Sequence, residues 1–431
     1  MHEIMEEAKA RGWVFGLDSI ENLLEVLGNP QDCLNFVHVT GTNGKGSVCN
    51  YLSSVLNAAR IKVGCYTSPA IGEPCEKYHV NGMTLSSVMY DKYLAQVEEA
   101  ARLADEIHGT KATAFEIETA LAFLYFRDVD VDIAIIEVGL GGELDATNII
   151  RNTLVSVFTP ISFDHINILG DSLEAIARAK AGIIKPDSIV VSAKQSNEVR
   201  DILSNVAKEK GCQAIFVDSE NINVFDRDVI DPITNTKYPF GRYFEYNDSL
   251  YPCKFPGRHQ IENQALVVEI IAALRFKGYG IYDEAITSGF INALNPYRFM
   301  NIATRPNVYV DGAHNPAAIH ELTEILKDNF TNEPLTFIIG VLKDKDYEKM
   351  FAEILPLADT IICVQPDNPR ALALYELKEL AEKYCDKVYA SERMGEAAEI
   401  ALSVQNTVIA FGSFYFLDSI KTEIKKKLEM A

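Results

Sequence analysis

From residue 36 to about 217, short apolar runs alternate with longer stretches whose apolar positions recur every three or four residues. That alternation predicts βαβ units and a largely parallel sheet. The expected strands are 36–40, 61–66, 132–138, 154–159, 188–192 and 214–217. Between the first two, Val48, Tyr51, Leu52, Val55, Leu56 and Ala59 predict a helix with one buried face. The stretch 220–256 breaks the pattern. Rich in Asn, Asp, Pro, Gly and Tyr, it reads as a few irregular antiparallel strands. Helices resume at 261–276 and 283–294.

Residues 295–306 carry two prolines and no clear period, which predicts a domain boundary there. Beyond it the alternation restarts. Strands are expected at 308–310, 335–341, 360–364, 387–389 and 407–411, with helices between them and a terminal helix ending in lysines. The expected domains are therefore 1–295, with the antiparallel region near 220–256, and a smaller parallel α/β domain over 296–431.

Within this frame one turn carries the most chemistry. The strand 36–40 runs into Gly41-Thr-Asn-Gly-Lys-Gly-Ser47, and the helix follows at once. A glycine-rich turn of this kind aims backbone N–H groups and a positive helix end at an anion. Asn43, Gly44, Lys45, Gly46 and Ser47 are thus candidate phosphate ligands, Lys45 as a point charge and Ser47 as an oxygen for Mg²⁺. The turn is tighter than the usual G-x-x-x-x-G-K-[ST] string. ATP is the expected ligand, and a P-loop ATPase-like domain the expected fold, followed by a smaller Rossmann-like one.

At 431 residues two domains are the natural expectation. The net charge of −21 argues against nucleic acid or an anionic membrane surface as a partner. Anionic substrates would then need local Lys, Arg, metal and helix-end groups. Eight scattered cysteines with no C-x-x-C pair read as buried thiols of a reducing compartment. The charged opening 1–9 reads as no signal peptide and no long apolar run follows, so a cytoplasmic location is expected.

Open α/β sheets bind ligands at the carboxyl ends of their strands. Glu137, just past an apolar strand and before Gly139, Gly141 and Gly142, suits a Mg²⁺ ligand. His165, after the next strand, is a candidate second ligand. Lys180 continues the apolar stripe of Leu173, Ile176 and Ala177, where a charged amine is costly unless paired, neutralised or carbamylated. In the second domain, Asp311-Gly-Ala-His314-Asn-Pro316 repeats the strand–turn–helix arrangement. Asp311 could there accept from a ribose or orient an Arg, and His314 could contact a phosphate or position an incoming group.

Taken in order, several strings resemble the folylpolyglutamate synthase/dihydrofolate synthase family of the Mur ligase superfamily. They are Gly41–Ser47, Phe115-Glu-Ile-Glu-Thr-Ala120, Glu137-Val-Gly-Leu-Gly-Gly142, Leu144-Asp-Ala-Thr-Asn148, Asp164-His165, Leu169-Gly170, Lys180-Ala-Gly-Ile183 and Asp311–Pro316. The resemblance implies an ATP-dependent ligase joining L-glutamate to a folate or dihydropteroate carboxylate through an acyl phosphate. It implies ATP and Mg²⁺, with a carbamylated Lys180 and a monovalent cation, in a monomer. Ser68 would join Glu137 and His165 on the metal, and Asn263, Arg298 and Asp311 would contact the nucleotide. His314 and Ser413 would lie near the entering glutamate. Phe115, Glu116, Leu144, Asp145 and Ala146 would border the pteroate.

The chain departs from the family pattern in three places: the loop 70–78, Glu143 where Arg is frequent, and Tyr297 where Gly is frequent. Two alternatives stay open. One is a superfamily ligase acting on a peptidoglycan precursor, although the phosphate loop at residue 41 leaves no room before it for a uridine-nucleotide domain. The other is a nucleotide-binding regulator without turnover.

Overall fold

The computed structural model describes residues 3–430 except Trp13, Phe15, His165 and Asn332. The chain forms two compact units. One comprises Met1–Lys237, Arg242–Lys254 and Gln260–Leu294; the other comprises Tyr238–Gly241, Phe255–His259 and Asn295–Ala431.

The first unit is built on β1 (Phe36–Thr40), β2 (Val63–Tyr66), β3 (Tyr78–Val80), β4 (Met83–Thr84), β5 (Ile133–Glu137), β6 (Thr153–Phe158), β7 (Ile189–Ser192) and β8 (Gln213–Phe216). They form one sheet in the order β4-β3-β2-β5-β1-β6-β7-β8. From β2 to β8 in that order the strands run parallel. All residues of β1 and β5 are buried, as befits strands covered by helices on both faces. The strand ends lie within two residues of the sequence expectation.

The antiparallel pair β3–β4 is an addition that the apolar alternation does not mark. It turns through Asn81-Gly82, both at positive φ (51° and 76°), the two-residue Asn-Gly turn that suits a hairpin. A small antiparallel sheet follows, made of β9 (Asn223–Phe225), β10 (Arg242–Tyr246) and β11 (Ser249–Cys253).

The second unit carries β12 (Met300–Thr304), β13 (Asn307–Val310), β14 (Leu335–Ile339), β15 (Thr360–Val364), β16 (Val388–Ser391) and β17 (Thr407–Phe411). Their order is β12-β13-β17-β14-β15-β16, parallel except for β12. Within the aperiodic segment 295–306, Met300–Thr304 forms the edge strand β12, which the sequence reading did not mark. An irregularity between Asn301 and Ala303, in a strand where only Ala303 is buried, removes the apolar period that would mark it. Phe240 packs on Phe299, Tyr309 and Phe330 at ring distances of 5.6, 5.8 and 5.8 Å, which explains why 238–241 belongs with this unit.

In the first sheet β1 lies between β5 and β6. The loops that follow these three strands therefore meet at one edge.

Candidate active site

The loop after β1 is shaped by two glycines that no other residue could replace. Gly41 has φ 144°, and a β-carbon there would stand 1.9 Å from Thr159 Oγ1. Gly44, at φ 90°, precedes the helix Lys45–Ala58, and its β-carbon would stand 2.6 Å from Asn263 Oδ1. Asn263 is thus pressed against the loop from the helix Arg258–Phe276. Neighbouring loops hold the turn in place. Thr40 Oγ1 donates to Gly141 O (2.7 Å), Thr42 N to Pro160 O (2.9 Å) and Thr42 Oγ1 to Ser162 O (3.0 Å). The helix below buries Val48, Tyr51, Leu52, Val55 and Leu56 of the expected stripe, together with Ser47, whereas Ala59 lies just past the helix end and is half-buried.

Two lysines meet on one carbonyl. Lys45 Nζ donates to Gly41 O and Thr42 O, both at 3.2 Å, and Lys180 Nζ donates to the same Gly41 O at 2.9 Å. Lys180 sits in the last turn of the helix Leu173–Ala181, only 5% exposed, beside buried Ile176 and Ala177. Burial pushes its amine down to about 7; the charge of Lys45 acts the same way, and Asp164 and Asp145 oppose it. A cavity of about 30 Å³, room for roughly two waters, lies between Lys45, Lys180, Asp164, Leu169 and the backbone at 138–141. The helix start is capped by Ser172, which accepts from Ala175 N at 3.2 Å, whereas Glu174 pairs with Arg178 instead of closing a capping box.

Glu137 ends β5 nearly buried, and its Oε2 accepts from Ser68 N at 3.2 Å. A β-carbon at Gly46 would lie 3.6 Å from the same oxygen, so the phosphate loop runs beside this carboxylate. His165 lies outside the described residues. Among the described residues no group of three His, Cys, Asp or Glu side chains is arranged around a metal. One carboxylate next to Ser68 and a phosphate loop still fits Mg²⁺, which takes one or two protein oxygens and completes its shell with phosphate and water.

Glu116 and Asp145, both implied to border the pteroate, each hold backbone of their own loop. Glu116 Oε2 accepts from Thr113 N (2.6 Å) and Thr113 Oγ1 (2.8 Å), closing a capping box on the helix Ala114–Asp128. Asp145 accepts from Leu140 N (2.8 Å) and from Thr147 N (3.0 Å) and Oγ1 (2.5 Å), which folds the loop 139–148 on itself. That loop leans on the helix bearing Lys180, through Glu143 N donating to Ala179 O at 2.8 Å. Around it stand Phe115, whose ring would meet a β-carbon on Gly139 at 2.5 Å, nearly buried Ala146, and Leu144, 51% exposed.

Sequence reasoning missed His38. It is fully buried in β1, with Nε2 2.9 Å from Thr147 Oγ1, and Nδ1 has no partner among the described residues. Because Thr147 donates to Asp145, the imidazole donates to Thr147 and is neutral. Its only signal was a polar residue at the centre of an otherwise apolar strand. Burial, aided by Lys185, pushes it down to about 3 from 6.5. A depressed histidine contributes stability that is present above the unfolded value and lost as pH falls toward the folded one. Between about pH 4 and pH 6, His38→Asn should therefore flatten the fall in stability by up to about 1.4 kcal/mol per pH unit. Denaturant unfolding across that range checks it, and parallel slopes for parent and variant would refute it.

In the second unit the loops after β13 and β17 converge. Asp311 accepts from Phe299 N and Ala313 N, both at 2.8 Å, and His314 Nδ1 donates to Gly312 O at 2.8 Å. The Phe414 ring lies 5.5 Å from the His314 ring and 5.4 Å from the Arg298 guanidinium. Buried Ser413 precedes the helix Phe414–Met430, with its Oγ accepting from Tyr415 N at 3.4 Å. Phe414 was not anticipated, although it directly follows Ser413, which was.

Residues 39–271 match the Mur ligase middle domain, and residues 297–414 match the Mur ligase glutamate ligase domain. The chain is 32% identical to a dihydrofolate synthase/folylpolyglutamate synthase of Bacillus subtilis, over 96% of this chain and 98% of that one. Folylpolyglutamate synthase of Mycobacterium tuberculosis complexed with ADP superposes with a TM-score of 0.85 at 29% identity, covering 98% of this chain and 97% of that one. An E. coli FolC structure in complex with DHPP and ADP gives 0.82 at 30% identity, covering 98% and 96%. The chain belongs to the dihydrofolate synthase/folylpolyglutamate synthase family of Mur ligases.

Proposed function

We propose that the protein is an ATP-dependent ligase that joins L-glutamate to a folate-type carboxylate through an acyl phosphate. The observation that carries this reading is the convergence of Lys45, Lys180 and Glu137 on the loop 41–47. A free carboxylate does not yield to an amine, since the leaving group would be oxide. Transfer of the ATP γ-phosphoryl supplies phosphate as the leaving group, and the glutamate amine then attacks the acyl carbon. The chain's part is positioning and charge stabilisation. Backbone N–H groups at 44–47 hold phosphate oxygens, and Lys45 neutralises them. Glu137 and Ser68, with His165, would hold Mg²⁺, which when bound would spread the phosphate charge. Asn263, Arg298 and Asp311 are the proposed nucleotide contacts, and His314 and Ser413 the groups nearest the amine.

Lys180 fits carbamylation, because about half of its amine is neutral near pH 7 and a small cavity adjoins it. Phe115, Leu144 and Ala146 are proposed to line the acceptor, while Glu116 and Asp145 support the wall by holding backbone. The net charge and the absence of a long apolar helix among the described residues fit a small-molecule enzyme of the cytoplasm.

Phosphate release measured with dihydropteroate or a reduced folate, each with and without L-glutamate, tests the reading. Release that needs both an acceptor and glutamate supports it, and the active arm separates synthase from polyglutamate extension. Nucleotide binding without glutamate-dependent release would favour the regulator instead. For the metal, Glu137→Gln should raise the Mg²⁺ needed for half-maximal rate on the order of tenfold. A Mg²⁺ titration identical to the parent's would remove Glu137 from the metal.

A further inference from the structure

Tyr297 has a backbone conformation of the kind that glycine adopts freely. Its φ is 57°, a left-handed value that a residue with a β-carbon adopts only when its surroundings hold it there. The holding contacts are specific. The Tyr297 hydroxyl donates to Asp418 Oδ1 at 2.7 Å and accepts from Lys421 Nζ, which also pairs with Asp418 at 2.6 Å. The same ammonium lies 4.8 Å from the centre of the Tyr297 ring, and the side chain is 4% exposed. The Tyr297 carbonyl accepts from Gly312 N at 2.8 Å, inside the Asp311–Pro316 turn.

The next residue is Arg298, whose guanidinium rests on Phe414. Phe414, Asp418 and Lys421 fall at i, i+4 and i+7 of one helix and so share a face. Adjacent residues of one loop are thus fastened to one helical face, Tyr297 by hydrogen bonds and Arg298 by stacking. A β-carbon on Gly312 would stand 2.2 Å from the Phe414 ring and 2.6 Å from Arg298 Nη1, so the arginine lies flat against this turn.

We propose that Tyr297 is a positioning residue, which with Asp418 and Lys421 sets the direction of Arg298 for its contact with ATP. The inference rests on the proposed role of Arg298 as a nucleotide contact. A glycine at 297 would keep the backbone without strain but remove the hydrogen-bonded fastening, leaving only the Arg298 contact with Phe414 to hold the loop to the helix.

The test is steady-state kinetics with ATP varied, together with thermal unfolding, on the full chain. Tyr297→Gly empties a buried site, so it should unfold at a lower temperature than the parent, while the folded variant should show a KM for ATP raised roughly tenfold, the scale of one lost charge-assisted contact. Tyr297→Phe and Asp418→Ala, which keep the ring but break the hydrogen bond, should show a smaller rise of the same kind. Asp418→Asn, which keeps an acceptor, should restore near-parental kinetics. If Tyr297→Gly folds poorly, Tyr297→Phe and Asp418→Ala decide the matter alone. A parental KM in these variants, while Arg298→Ala raises it, overturns the positioning role and leaves the nucleotide contact standing. A parental KM in Arg298→Ala removes the nucleotide contact, and the inference falls with it.

Discussion

Lys45→Ala stops turnover: phosphate release at saturating ATP and glutamate falls by about a hundredfold to a thousandfold, the scale of one lost charge at a transition state. The fold should survive. Lys45 is half-buried, and its ammonium bonds to two loop carbonyls, Gly41 O and Thr42 O, rather than packing in the core. Removing it also relieves the pressure of one positive charge on Lys180. Thermal unfolding should therefore stay within a few degrees of the parent, the shift expected for about 1 kcal/mol or less. Parental phosphate release by this variant would sink the phosphate-loop assignment, and a large loss of stability would place Lys45 in the core.

The second large effect concerns Lys180. An amine at its ordinary value of 10.5 would be about 0.03% neutral at pH 7, whereas one lowered to about 7 is about half neutral. Only the neutral amine takes up CO₂. The nitrogen lone pair attacks the carbon, and a proton leaves to solvent. The product carries two oxygens and one negative charge beside Lys45, so it replaces a like-charge contact by an attractive one. Lys180→Ala should lose most activity. Enzyme stripped of CO₂ should lose activity and regain it with bicarbonate, whereas the variant should not respond. Peptide mass analysis of the active enzyme under mild conditions should find one added carboxyl group at Lys180. Full activity with an unmodified Lys180 ammonium would make it a structural residue bonded to Gly41 O.

Much of this site was legible in the residues because its chemistry is local. Gly41 and Gly44, Lys45, and Glu137 past an apolar strand each sit where a strand meets a turn, and the turn itself is the binding device. Lys180 was visible as a charge breaking an apolar stripe, and its burial on Gly41 O is the consequence. What escaped was set by partners distant in sequence. His38 acquires meaning only from Thr147, and Phe414 only from Arg298 and His314. Short strings also do not show that the carboxylates of Glu116 and Asp145 hold backbone of their own loops. Strand β12 was hidden because an edge strand with an irregular register has no period to read. The β3–β4 hairpin, by contrast, carried a signal that went unused in Asn81-Gly82.

The central claim is that the acceptor carboxylate is phosphorylated before the amine attacks, and isotope transfer tests it directly. With both oxygens of the acceptor carboxylate labelled with ¹⁸O, one becomes the bridge to phosphorus and leaves with the phosphate when the amide forms. The account predicts one labelled oxygen in each phosphate released, ADP without label, and no transfer unless glutamate is turned over. Unlabelled phosphate during amide formation, or label appearing in AMP, would contradict it.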